Sequence, residues 1–224
     1  MNRLKCKRFV FLCVTCALCS KGWTMDQPLL NKTIEVGRFS AMQINDWQEK
    51  SFSGHTHYKI TKSQDKYVLQ ASANKSASAL YKPVEINLHK TPYLNWSWAI
   101  ISALPELNEQ TKPGDDYAAR IYVVVKTGST PWKKRALNYV WSSNNAPPES
   151  WPNAFTDKAV MIPLRAAKDL AGVWQMEKVN VLNDIKKYLR INAEKIEAIA
   201  IMTDTDNSGS FSVTHYGDLY FSSH

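Results

Sequence analysis

Cysteine is confined to the first 19 of the 224 residues, at Cys6, Cys13, Cys16 and Cys19. Residues 20–224 therefore contain no disulfide, no thiolate nucleophile and no cysteine ligand for a metal. A domain of about 200 residues can bury enough surface to fold without covalent cross-links. We expect its hydrophobic core alone to hold it together.

A large excess of one charge is also absent once the N-terminal segment is set aside. The whole chain has 28 basic and 20 acidic residues, a net charge of +8. Arg3, Lys5, Lys7 and Arg8 account for four of the basic residues, which leaves 24 against 20, or +4. An excess this small gives no reason to expect a nucleic-acid partner.

No apolar run reaches the about 20 residues that a membrane-spanning helix needs. The run Phe9–Cys19 has 11 residues, follows a basic start, and ends with small residues at Ala17 and Cys19. This pattern is typical of a signal peptide cleaved before Ser20, with no transmembrane segment left afterwards. We expect residues 1–19 to be a signal peptide, residues 20–36 an N-terminal extension, and residues 37–224 one domain. It would be periplasmic or secreted, in a Gram-negative bacterium.

Short segments of alternating apolar and polar residues fill the chain after residue 37, which is typical of β-strands. The clearest is Tyr93–Ile100, where four large apolar side chains occupy alternate positions and share one face. The continuous apolar runs Ile121–Val125 and Ile199–Met202 predict central strands covered on both faces. The predicted strands are Gly37–Ile44, Tyr58–Lys62, Tyr67–Ala73, Ala79–Lys82, Val84–Leu88, Tyr93–Ile100, Ala118–Lys126, Leu137–Ser142, Ala159–Leu164, Gln175–Val181, Ile196–Met202 and Thr214–Phe221.

One helix is predicted, at Val181–Leu189, because Leu182, Ile185 and Leu189 recur with helical spacing. It should cross from one strand to another. Neither an internal repeat nor a linker divides the domain. Many short strands with one short crossover helix predict an all-β fold, a two-sheet β-sandwich of the jelly-roll or galactose-binding-like type.

Two polar segments adjoin buried strands, where loop residues on a rigid scaffold often bind ligands. Asp115 and Asp116 are adjacent, so in extended backbone they point to opposite faces and cannot form a facing catalytic pair alone. An ion pair of either one with Arg120 is the alternative interpretation. The two segments supply the candidate ligand-binding residues Asp115, Asp116, Tyr117, Arg120, Asp204, Asp206 and Asn207.

The segment 204–209 places short oxygen-bearing side chains at alternate positions before a glycine, as in the first half of a calcium loop. The twelfth position is a histidine instead of a bidentate glutamate, so the segment is not an EF-hand. One interpretation is a Ca²⁺ site of Asp204 and Asp206, completed by a distant acid such as Asp218. The other is a turn in which Asp206 and Asn207 bond their own backbone. No other cofactor is predicted.

Aromatic residues and amides near the strands form a second group of candidates, Trp96, Trp98, Trp141 and Asn138. Flat rings can stack on the apolar faces of sugars while polar neighbours take the hydroxyl groups. Trp96 and Trp98 share one face of a strand, so they lie together in the core or together on a groove.

These residues favour a non-catalytic β-sandwich that binds a glycan or cell-envelope polysaccharide. No nucleophile, P-loop or dinucleotide motif is present, which favours a function other than catalysis. One alternative is a glycan hydrolase or lyase in which Asp116 works with Asp204 or Asp206, which requires the two loops to meet. Another is an envelope protein-interaction module with an exposed apolar patch.

Several long motifs together resemble a known family: Tyr93–Trp98, Gly114–Val123, Leu137–Ser142, Ala198–Asn207 and Tyr216–Phe221. They are similar to the exported bacterial proteins of the domain of unknown function 3047 (DUF3047), over about residues 39–221. The resemblance implies one domain and export, and assigns no activity. The segment Tyr216–Tyr220 also resembles the last strand of jelly-roll carbohydrate-binding modules, where an acid can hold a structural calcium.

Overall fold

The computed structural model describes residues 32–126 and 134–224, so the predicted signal peptide lies outside the described residues. Within these two ranges no helix has the length and apolar character to cross a membrane. The strands, in chain order, are β1 (Thr33–Gly37), β2 (Gln48–Ser53), β3 (His57–Ser63), β4 (Lys66–Asn74), β5 (Ala77–Asn87), β6 (Tyr93–Ser102), β7 (Ala119–Lys126), β8 (Lys134–Trp141), β9 (Trp151–Asn153), β10 (Thr156–Arg165), β11 (Gln175–Asn180), β12 (Lys195–Asp204), β13 (Phe211–Tyr216) and β14 (Leu219–Ser222).

These strands form two seven-stranded sheets, which we call sheet I and sheet II. Sheet I has the order β1-β14-β6-β13-β4-β3, with β11 also paired to β6. Sheet II has the order β2-β5-β12-β7-β8-β10-β9, and its β8–β10 pair is parallel. The predicted all-β two-sheet sandwich with one short helix is confirmed.

The core lies between the sheets, and β6 shows how its pattern builds that core. Trp96 and Trp98 are 3% and 0% exposed and point from sheet I toward sheet II. The Trp96 ring lies 5.7 Å from that of Tyr139, and the Trp98 ring lies 5.9 Å from that of Trp141, both on β8. Such aromatic pairs add about 0.5–1.5 kcal/mol each beyond the area they bury.

The predicted helix is present and carries the chain from sheet I to sheet II. It comprises α1 (Val181–Asp184) and a π-helical turn, Ile185–Leu189. The side chain of Asn180 caps its start by accepting a hydrogen bond from the Asn183 backbone N–H at 3.0 Å. The segment joins β11 to β12, so it is the crossover that the sequence predicted.

The N-terminal part of the sandwich differs from the predicted strand Gly37–Ile44. β1 begins at Thr33 and pairs with β14, so sheet I starts four residues before the predicted domain boundary. A 3₁₀ turn, Phe39–Ala41, follows where the strand was predicted. The chain turns there because the fully buried ring of Phe39 packs on Trp47, 5.7 Å between ring centroids.

The loop before β7 packs on the outer face of sheet II, away from the main core. There Tyr117 forms a small second core with Val140, Trp151 and Met161. The Trp151 indole N–H donates a hydrogen bond to the Tyr117 hydroxyl oxygen at 3.3 Å. This loop therefore builds a wall over β8 and β10, beside the outer face of β5, β12 and β7.

Candidate functional site

A groove of about 820 Å³ occupies the outer face of sheet II over β5, β12 and β7. Alternation along the strands explains its floor, because Ile199 and Ile201 point into the core while Ala200 and Met202 point outward. Ala77 and Ala79 continue the floor on β5. Three of these four outward side chains are alanines.

Tyr81 and Tyr122 rise from this apolar floor on β5 and β7 and pack against its small side chains. The Tyr81 hydroxyl donates a hydrogen bond to the side-chain oxygen of Gln48 at 2.6 Å, which fixes the ring at the groove edge. Both tyrosines remain partly exposed. A concave, mostly apolar surface with a few placed polar groups is the usual form of a ligand site.

Two exposed phenylalanines stand on opposite walls of the groove. Phe52 on edge strand β2 is 61% exposed, and Phe155 in the β9–β10 turn is 56% exposed. A lysine amine lies over each ring, Lys50 at 5.3 Å from Phe52 and Lys112 at 5.5 Å from Phe155. The groove is therefore flanked by aromatic surface that the fold does not bury.

One end of the groove is polar and is organised around a buried ion pair. Arg120 on β7 and Asp204 at the end of β12 are 3% and 1% exposed. The Arg120 Nε–H donates to Asp204 Oδ1 at 2.8 Å, and Nη2 pairs with Oδ2. The Tyr117 backbone N–H also donates to Asp204 Oδ1, at 3.3 Å.

Asp116 joins the two polar loops that the sequence singled out. It is fully buried, and its Oδ1 accepts hydrogen bonds from the backbone and side-chain nitrogens of Asn207, both at 3.2 Å. Its Oδ2 accepts from the Ser208 backbone N–H at 2.6 Å. Gly209, with φ of +65°, completes the turn in a conformation that glycine adopts without strain.

At this polar end, Asp115 and Asp206 line the groove together with Asp204. Burial raises the pKa of Asp115, against the lowering effect of the Arg120 charge, and both of its oxygens accept from the Asn153 amide at 3.0 and 2.9 Å. Burial, followed by the Asp116 charge, raises the pKa of Asp206. Asp206 is the less buried of the two.

The oxygens of Asp116, Asp204 and Asp206 lie within 4.8 Å of one another, close enough for one metal ion. Calcium, however, needs six to eight oxygen ligands. Arg120 already engages both oxygens of Asp204, and amide N–H groups engage both of Asp116. These donors compete with a cation, so the cluster does not fit the predicted calcium loop.

Asp218 is not part of this cluster, which corrects the predicted metal set. It accepts a hydrogen bond from the Ser40 backbone N–H at 2.8 Å and another from the Ser40 hydroxyl. Asp218 thus ties the turn between β13 and β14 to the 3₁₀ turn after β1.

The two polar loops do meet, as the catalytic and metal hypotheses required, but the predicted tryptophans are elsewhere. Trp96, Trp98 and Trp141 are at most 3% exposed and belong to the main core, which corrects their place among the ligand-binding candidates. Tyr117 and Asn138 are fully buried, Tyr117 in the wall and Asn138 beside Tyr122.

Sequence reasoning missed Phe52, Tyr81 and Phe155. Phe52 lies in a strand whose six residues are all exposed, so no alternation marked it. Tyr81 was within a predicted strand, and its alternation with Leu80 was the one available sign of an outward face.

The family described as "Protein of unknown function (DUF3047)" matches residues 45–220. The chain belongs to the DUF3047 family. This confirms the resemblance seen in the sequence motifs. No curated protein matches the chain of this DUF3047 protein.

Several solved structures are similar to the DUF3047 sandwich in fold. The family 11 carbohydrate-binding module of the cellulosomal cellulase Lic26A-Cel5E of Clostridium thermocellum has 8% identity and a TM-score of 0.45, covering 87% of this chain and 95% of its own. Endoglucanase cel12A from Rhodothermus marinus has 8% identity and a TM-score of 0.45, covering 80% and 96%. The xyloglucanase domain of NopAA from Sinorhizobium fredii, in complex with cellobiose, has 9% identity and a TM-score of 0.45, covering 79% and 92%. These values describe a likeness in architecture alone.

Proposed function

We propose that this DUF3047 protein binds a carbohydrate chain in the groove of sheet II. The observation that carries the proposal is the pair of exposed rings, Phe52 and Phe155, on opposite walls of an apolar groove of about 820 Å³. Exposed aromatic rings beside a concave floor offer stacking surface for sugar rings. The polar end supplies oxygen acceptors for hydroxyl groups.

The floor supports the same ligand class. Apolar area removed from water contributes roughly 25 cal/mol per Å², so the C–H faces of sugars gain from contact with Tyr81, Tyr122 and the alanines. Tyr81 and Tyr122 also offer hydroxyl groups at the same surface. A lipid chain would use the apolar floor but would leave the polar end without a partner.

Binding without cleavage is the form of the proposal that the acidic residues favour. Asp116 is fully buried with both oxygens bonded to Asn207 and Ser208, so it is not placed to exchange a proton with a substrate. Asp204 is held by Arg120. A hydrolase of this kind needs two carboxylates that reach the substrate. In the pairs Asp116–Asp204 and Asp116–Asp206, the buried Asp116 does not reach it.

Isothermal titration calorimetry with a panel of soluble oligosaccharides tests this proposal. Phe52→Ala and Phe155→Ala should each weaken binding several-fold. Phe211→Ala, which removes a ring of similar exposure (50%) from β13 of sheet I, should leave it unchanged. Reducing-end release in the same mixtures should stay at background. Binding that is insensitive to both groove substitutions, or no binding by the wild-type protein to the whole panel, would overturn the proposal.

Export of the protein is a separate proposal, which rests on the N-terminal sequence. The basic start and apolar run of residues 1–19 support export from the cytoplasm, where the groove would meet cell-envelope or external polysaccharides. No cofactor is needed for such binding, and we infer that Arg120 supplies the charge balance that calcium would otherwise provide.

A further inference from the structure

The outer face of sheet I, which lies on the opposite side of the sandwich from the groove, leaves large apolar side chains exposed. Met176 on β11 is 82% exposed, Phe211 on β13 is 50% exposed, and Ile101 on β6 is 47% exposed. Single apolar residues are common on protein surfaces, whereas a contiguous apolar patch marks a surface that binds a partner. The strand registers place these three residues in one patch.

Met176 and Trp174 form the part of this patch at the β11 edge. The register partner of Met176 is Ser97 on β6, which alternates with the two core tryptophans of that strand, so both side chains face outward. The Trp174 ring lies 6.4 Å from the ring of His215 on β13. His215 is the register partner of Ala99 on β6, which is buried. The aromatic pair therefore extends from β11 to β13 across β6.

Ile101 and Phe211 continue the patch along β6 and β13. The pairing of these strands shifts between Val213 and Thr214, and this β-bulge leaves Ile101 as the extra, exposed residue. Val213 and Phe211 alternate with the buried residues of β13, so they lie on the same outer face as His215. We call this surface the sheet I patch; it comprises Ile101, Trp174, Met176, Phe211 and Val213.

The fixed charges around the sheet I patch are lysines. Lys59 on β3, Lys66 on β4 and Lys178 on β11 occupy outward positions and are exposed. None of the three pairs with an acid among the described residues. The outward positions of β3, β4, β6, β11 and β13 hold no aspartate or glutamate, and Glu35 on edge strand β1 is the one acid at the outward positions of the whole sheet. The face is therefore apolar over its central strands and cationic toward its edges.

We propose that the sheet I patch docks on the surface of an anionic lipid bilayer. Binding to such a surface strengthens with the apolar area that enters the headgroup boundary and with the attraction of lysines to anionic lipids. The patch supplies the apolar area, including the indole of Trp174, a side chain that favours the membrane–water interface. A second copy of the chain is the poorer complement, because face-to-face packing would bring lysines together with few acids to pair them. The inference does not rest on the proposed function, since the groove lies on sheet II.

Vesicle co-sedimentation tests the proposal with the protein recovered from the cell envelope and vesicles of phosphatidylcholine, alone or mixed with phosphatidylglycerol. The wild-type protein should sediment with the mixed vesicles and stay in the supernatant with phosphatidylcholine alone, and added salt should weaken its binding. Phe211→Asp should lower the affinity for mixed vesicles about tenfold or more, because it removes buried apolar area and adds a repelled charge. Phe155→Asp, which changes a ring of similar exposure on sheet II, is the matched control and should bind as the wild type does.

A second variant tests the charges separately. Lys59→Gln combined with Lys178→Gln leaves the apolar side chains in place, and it should lower the affinity for mixed vesicles about tenfold and reduce the effect of salt. The melting temperature of each variant, compared with that of the wild type, verifies that the exposed substitutions leave the fold intact.

Several results would overturn the proposal. They are no sedimentation with the mixed vesicles, equal sedimentation with both kinds of vesicle, and an equal loss of affinity for Phe211→Asp and Phe155→Asp. A dimer of the free protein in analytical ultracentrifugation that Phe211→Asp dissociates would also overturn it, because a second copy would then cover the patch. None of these results bears on sugar binding, which is measured through the groove substitutions.

Discussion

Replacing Arg120 by methionine should severely destabilise the fold, because Asp204 would be left charged and buried. Both side chains are at most 3% exposed, and the guanidinium also lies 4.7 Å from the centre of the Tyr117 ring. Removing one partner of a buried ion pair costs about 3–5 kcal/mol. For a domain of this size each kcal/mol shifts the melting temperature by about 2–4 °C, so a loss of about 6–20 °C is expected.

Urea unfolding followed by tryptophan fluorescence measures the loss, since Trp98 and Trp141 lie in the core. The double variant Arg120→Met with Asp204→Leu should recover much of it, because no unpaired charge then remains. Lys187→Met, which breaks an exposed pair with Glu149, is the control and should change little. A loss below about 1 kcal/mol for Arg120→Met, the range of an exposed pair, would refute the account of the polar end.

Millimolar calcium and EDTA should both leave the melting temperature unchanged, because Arg120 and amide N–H groups occupy the Asp204 and Asp116 oxygens; a rise with calcium would contradict this. Asp206→Asn should raise stability at pH 7. Because the folded-state pKa of Asp206 is raised, the wild-type protein gains stability as the pH falls through that pKa. The stability advantage of the variant should therefore disappear at low pH. A variant that is less stable than the wild type at pH 7 would contradict this prediction. The intact mass of the protein recovered from the cell envelope should correspond to a chain starting at Ser20, and a mass that includes residues 1–19 would contradict cleavage.

The parts of the fold that the sequence predicted are those with a strong apolar period. β6 alternates large and small residues, and the helix carries an apolar stripe, so both were found. β2 was missed because all six of its residues are exposed and lack any alternation. The predicted strands Ala79–Lys82 and Val84–Leu88 form one strand, β5. Pro83 between them does not end the strand, because its partner β12 bulges there, between Ile196 and Ala198.

The site was predictable in part, for a related reason. Asp115, Asp116, Arg120 and Asp204 stood out because charged residues beside buried strands are unusual. Their partners could not be read from the sequence, since Asp116 and Asn207 are 91 positions apart and meet only through the order of strands in sheet II. The alanine floor carried no signal, because alanine on an outer strand face looks the same whether a groove or a covering element lies above it.

The most direct test of the groove is to map the ligand on the folded protein. Backbone amide shifts should be followed by NMR while the tightest oligosaccharide is titrated. The shifts should be concentrated in residues 77–83, 120–124 and 198–207, and the amides of sheet I should not shift. Shifts confined to sheet I, or to residues 106–110 and 144–148, which line a separate cleft, would contradict binding in the groove.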